Sequence, residues 1–188
     1  DQMHGFQERL ITNIYPANFS WTPNWSRPVT EPNPAGATVR PVLEAGPCIR
    51  SMQMDYDDEV AFKARQKIYD LARRPDDANP FFLVTSFTHP HPPFSCAQKY
   101  WDLYKNSEID MPKIGRIPPE ELDVASQYLY FGHRRNRYKI EDEHIRAARR
   151  AYYGMISYVD ELIGSVIDTL SEAGLEDDTI IIFASDHG

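Results

Sequence analysis

Two runs of this chain end in side chains that could do chemistry. Thr179-Ile-Ile-Ile-Phe-Ala-Ser-Asp-His-Gly188 delivers a carboxylate, Asp186, and an imidazole, His187, side by side after an apolar stretch. Asp oxygen and His nitrogen are both metal ligands, and adjacent placement suits a single ion. Phe81-Phe-Leu-Val-Thr-Ser-Phe87 leads in the same way into Thr88-His89-Pro90-His91-Pro92-Pro93-Phe94. The prolines there stiffen the chain around His89 and His91, which favours fixed side-chain geometry. If both runs are neighbouring strands of one sheet, these groups converge at its carboxyl edge, where open α/β sheets bind ligands. A metal would stabilise charge on a transferring group and an imidazole would protonate a leaving alkoxide, which together suit ester hydrolysis. The plainer alternative is a strand followed by an Asp-X-Gly turn, with the two histidines on a rigid surface turn.

The elements that must position these groups follow from periodicity. Both apolar runs are too short for helices and rich in β-branched and aromatic residues, so each is expected to be a buried strand. A helix is predicted from Asp57 to about Arg74, with Asp55, Asp57 and Asp58 at its amino end and Val60, Ala64, Ile68 and Leu71 on one face. Tyr100 to Tyr104 is expected to make a short helical turn, and Arg134-Arg135-Asn136-Arg137 a solvated loop. The longest helix is predicted from about Glu141 to Ala173, because Ile145, Ala148, Tyr152, Met155, Val159, Ile163, Val166 and Leu170 recur at helical steps. Gly174 is placed for a left-handed stop, Gly154 and Gly164 for close packing, and Asp160 as a structural hydrogen-bonding residue. The alternation of helix and strand indicates an α/β fold with a parallel or mixed sheet.

Composition bounds the reading further. Hydrophobic content of 41% and charged content of 26% are those of an ordinary globular chain. A formal charge of -8 argues against nucleic acid as a partner. No apolar run approaches the ~20 residues needed to cross a bilayer. Cys48 and Cys96 stand far apart and read as reduced structural thiols. Seven prolines between Pro16 and Pro47, with Trp21 and Trp25 among them, give residues 1–50 the character of an ordered loop region. The chain opens at Asp1 without a Met and closes on the Asp186-His187 pair, and it reads as a piece of a longer protein.

These residues resemble a known family. The 179–188 run, with Tyr152-Tyr-Gly-Met-Ile-Ser-Tyr-Val-Asp160 and Gly174-Leu-Glu-Asp-Asp-Thr179 before it, is similar to the central part of type I sulfatases of the alkaline phosphatase superfamily. Residues 81–94 resemble the histidine segment of those enzymes. Asp1-Gln-Met-His-Gly-Phe-Gln-Glu-Arg-Leu10, Ile14-Tyr-Pro-Ala-Asn18, Trp21-Thr-Pro-Asn-Trp25, residues 57–67, 100–104 and 145–154 all resemble the choline-sulfatase branch in particular. The chain departs from that branch in reading Pro92-Pro93 where Asp-Pro is usual.

The resemblance implies an alkaline-phosphatase-like α/β/α sandwich, with residues 1–188 as the central part of one catalytic domain: the loop region 1–50 and a helix–strand–helix–strand segment 51–188. It implies that Asp186 and His187 help bind a divalent cation, usually Ca2+. It makes His91 the histidine that assists the leaving group, and gives His4 and His89 places beside the substrate. It implies a small sulfate ester, choline sulfate, as substrate, and a cytoplasmic homo-oligomer. The nucleophile of the family is a formylglycine made from a C/S-x-P-x-R motif. Neither Cys48-Ile-Arg50 nor Cys96-Ala-Gln98 fits that motif, so it is expected outside these residues and the piece alone is expected to be inactive. A phosphodiesterase or phosphonate monoester hydrolase on the same scaffold, or a truncated non-catalytic product, are the alternatives.

Overall fold

A computed structural model describes residues 3–14, 26, 28–30, 38–74 and 79–186. Its helices are α1 (Arg40–Leu43), α2 (Met52–Ala72), α3 (Gln98–Leu103), α4 (Val124–Gly132) and α5 (Asp142–Glu172), and its strands are β1 (Gly46–Cys48) and β2 (Ser95–Ala97). Helices with a small parallel sheet make this an α/β arrangement. The chain divides into two compact units, one from Asp1–Thr12, Met52–His89 and Tyr158–Gly188, the other from Asn13–Ser51 and Pro90–Ser157. Helix α5 contributes its first part to the second unit and its last part, from Tyr158, to the first.

In the first unit α2 starts at Met52, five residues before the predicted start. Met54, Asp57, Val60, Ala61, Ala64 and Ile68 form its buried stripe. Asp57 therefore lies in the second turn, facing inward, and does not cap the helix. The end of α5 is tied to α2 by the Arg65 guanidinium donating to Thr169 Oγ1 (3.0 Å) and the Tyr69 hydroxyl donating to Glu172 Oε2 (2.7 Å). Gly174, at φ 69°, stops α5 as expected, with its N–H on Ser171 O (2.9 Å) and that of Leu175 on Leu170 O (3.1 Å).

The two predicted buried strands are absent as such. Residues 81–88 and 179–185 are irregular, with no strand partner among the described residues. Phe82 is 78% exposed and Ile180 89%. Ile182 and Phe183 are exposed as well. Burial over 81–86 nevertheless alternates residue by residue, with Phe81, Leu83 and Thr85 half-buried and Phe82, Val84 and Ser86 exposed. That period of two is the side-chain pattern of extended chain, which becomes a strand only when a neighbour completes the backbone ladder.

In the second unit β1 and β2 pair in parallel, Pro47 opposite Cys96 and Cys48 opposite Ala97. Ala148, Ala151 and Met155 of α5 are buried. A Cβ at Gly154 would lie 2.6 Å from Cys96 Sγ and 3.3 Å from the backbone of Tyr100, so this glycine is what lets α5 approach β2 and α3. Gly164, expected to do the same, has open space around it. Asp160, expected to be a structural hydrogen-bonding residue, is exposed. The Arg150 guanidinium stacks over the Trp101 ring at 4.1 Å while donating to the Trp101 carbonyl. Asp123 caps α4, accepting from the N–H groups of Ala125 and Ser126. Its hydrogen bonds from Ser126 lower its carboxyl pKa. Residues 135–137 of the arginine cluster form a single 3-10 turn.

Candidate functional site

Among the described residues singled out in the sequence for the site, His89 is buried, whereas His4, His91 and Asp186 are exposed. The His89 imidazole Nδ1 lies 2.6 Å from Asp57 Oδ2, and the side chains of the two residues are 1% and 0% exposed. The same carboxylate oxygen accepts the His89 backbone N–H at 3.0 Å. Its partner, Oδ1, accepts the Thr88 N–H at 2.8 Å and the Thr88 hydroxyl at 3.0 Å. Because a carboxylate only accepts, the ring meets it with Nδ1–H. Tyr158 from α5 packs edge-on against the His89 ring, centroids 4.8 Å apart. Its hydroxyl lies 2.6 Å from Asp58 Oδ1 and 3.0 Å from the Met54 carbonyl. The segment 88–89 is thus locked to α2, and the His89 ring is held between α2 and α5.

His4 and Asp186 also belong to the first unit. His4 (φ 47°) and Gly5 (φ 93°) occupy the left-handed region at the tip of a turn closed by the Phe6 N–H on Met3 O at 2.8 Å. That turn leaves the His4 side chain exposed. Asp186 stands exposed at a bend following the 179–185 stretch. His187 lies outside the described residues, as do Trp21 and Trp25 of the proline-rich loop region.

His91 belongs to the second unit and is exposed. Its Nδ1 donates to the Pro92 carbonyl at 2.7 Å, which assigns any proton for transfer to Nε2. Histidine is the side chain most often used for such proton transfer.

The Asp186 carboxylate is a hard oxygen donor that fits Ca2+, an ion that gathers six to eight oxygens. Among the described residues no group of three or more His, Cys, Asp or Glu is arranged to hold a metal. A single carboxylate could fill one or two positions on such an ion and does not by itself make a site. The sequence reading missed Asp57 and Tyr158. The signal for Asp57 was its register: it falls three residues after Met54 and seven before Ala64, on the apolar stripe, where a carboxylate needs partners.

The sulfatase family model matches residues 2–188. Choline-sulfatase of Rhizobium meliloti (strain 1021) is 45% identical over 190 residues, covering 100% of this chain and 37% of that protein. Arylsulfatase of Clostridium perfringens (strain 13 / Type A) is 37% identical over 121 residues, 63% of the chain and 24% of that protein. The multifunctional alkaline phosphatase superfamily protein PehA of Trinickia caryophylli is 34% identical over 147 residues, 71% of the chain and 28% of that protein. The chain thus spans between 24% and 37% of the length of these relatives.

Proposed function

The chain belongs to the sulfatase family, and from that premise we propose that the complete protein hydrolyses sulfuric esters, with choline sulfate as substrate. The observation that carries the choice of ester is the 45% identity to a choline-sulfatase over the whole of this chain. In this reading residues 1–188 are the central part of one catalytic domain. Asp186 and His187 help hold a divalent cation, Ca2+ by the chemistry of the oxygen donor. When bound, that cation stabilises charge on the transferring sulfuryl group. His91 carries a proton on Nε2 and gives it to the leaving alkoxide, while Nδ1 stays on the Pro92 carbonyl. His4 borders the substrate from its exposed turn. His89, buried on Asp57, contributes by holding its loop rather than by facing solvent. A formylglycine from sequence outside these residues serves as nucleophile, so this segment alone has no turnover. A cytoplasmic homo-oligomer completes the reading.

A second reading, phosphodiester or phosphonate ester hydrolysis on the same scaffold, is favoured by the similarity to a multifunctional member of the alkaline phosphatase superfamily. Peptide mass spectrometry of the complete protein separates the two. A formylglycine in a C/S-x-P-x-R motif is the expected result. An unmodified threonine as the nucleophile would contradict the sulfatase reading and favour phosphoester chemistry.

A further inference from the structure

Between Thr88 and Phe94 the chain has few ways to secure itself. Pro90, Pro92 and Pro93 have no N–H, so the segment offers only the backbone donors of Thr88, His89, His91 and Phe94. Two of these, Thr88 and His89, are taken by the Asp57 carboxylate, which also takes the Thr88 hydroxyl and the His89 ring. A fully buried carboxylate is costly unless its lone pairs are filled. Here each oxygen accepts two hydrogen bonds, and all four come from two consecutive residues. Packing does not need such a group, since a buried polar cluster can be replaced by apolar residues of similar volume with little loss of stability. What the carboxylate does that an apolar side chain would not is fix the backbone at 88–89 and the His89 tautomer. The chain reaches His91 two residues later, through Pro90.

We propose that Asp57 is a positioning residue for His91: by holding Thr88 and His89 it sets the peptide from which the proton-donating histidine is presented. The inference rests on the sulfate-ester reading and deepens it. Tyr158 supports the same hold by packing on the His89 ring with its hydroxyl tied to Asp58.

The test uses the complete enzyme. Asp57→Asn keeps the volume but replaces one acceptor oxygen with an NH2 group that cannot accept these donors. It is expected to lower kcat on choline sulfate about 10- to 100-fold, as loss of an orienting partner typically does. KM should move by less than about threefold, and the loss on an aryl sulfate should be about tenfold smaller, because a good leaving group needs little protonation. His89→Asn, whose amide can donate in place of Nδ1–H, should recover turnover that His89→Ala does not. Equal losses on both esters, or losses that follow thermal stability alone, would overturn the proposal. A second measurement does not depend on activity or on the folding of a variant. In wild-type protein labelled with 15N-histidine, the His89 resonance should report an Nδ1–H ring, and an Nε2–H neutral tautomer would overturn the proposal. A wild-type enzyme that cleaves no sulfate ester would sink the functional reading instead, and the tautomer would still decide whether Asp57 holds His89.

Discussion

Proton donation matters most where the leaving alcohol is least acidic, so the role proposed for His91 carries a signature that general damage to the protein lacks. In the complete enzyme His91→Ala is expected to lower kcat/KM on an alkyl sulfate by about 100-fold or more, within the range for a positioned general acid. Its effect on an aryl sulfate with a good leaving group should be much smaller, and equal losses on the two would remove the role. Cys96 provides a test that does not involve the site. It is 1% exposed, and burial, with Cys48 adding in the same direction, pushes its thiol from 9.0 up to about 11. A raised thiol pKa means the folded state holds its proton more tightly than the unfolded state. Its contribution to stability is full below pH 9 and is lost as pH rises toward 11. Denaturant midpoints from pH 8 to 11 should therefore fall more steeply for wild type than for Cys96→Ala. At this scale the residue types for chemistry were legible in the sequence, because His, Asp and Pro announce themselves. Asp57 was not, because three acidic residues near a helix start resemble a cap, and only the helix's true start at Met52 turns one of them inward.

Helices and strands differ in how much of their information is local. Both long helices were readable because their apolar period is contained within the segment itself, and the observed α5, Asp142–Glu172, lies within one residue of its predicted bounds at each end. The strands β1 and β2 carry three residues each, and β1 has a proline at its centre, so no periodicity marked them. Their pairing joins residues far apart in the chain, which no local pattern encodes. The reverse holds at 81–88 and 179–185, where the strand pattern is plain and the described residues provide no partner strand. The two glycines of α5 make the element scale testable. Gly154→Ala would bring a Cβ against Cys96 Sγ and the Tyr100 backbone, and should destabilise by about 1–3 kcal/mol, the usual range for overpacking. Gly164→Ala meets nothing within 4 Å and should stabilise by roughly 0.5–1 kcal/mol, as relief of a helical glycine does. Thermal unfolding of the two variants checks both, and a neutral Gly154→Ala would mean that α5 does not pack closely on β2 and α3.

Over these 188 residues a formal charge of -8 disfavours a polyanionic partner for the segment. Family membership covers nearly the entire chain, yet the chain spans 37% of the length of the choline-sulfatase it resembles. The substrate, the cation and the nucleophile are therefore claims about the complete protein. Within this segment two histidines follow the same apolar run. One is buried and locked to a helix carboxylate, and the other is exposed with its Nδ1 tied to a backbone carbonyl. The most direct test is to incubate the purified complete protein, loaded with Ca2+, with choline sulfate and with an aryl phosphodiester, and to follow release of sulfate and phenol. Catalytic release of sulfate and choline is expected, with kcat/KM well above that for the phosphodiester. Turnover of the phosphodiester with no sulfate released from choline sulfate would contradict it.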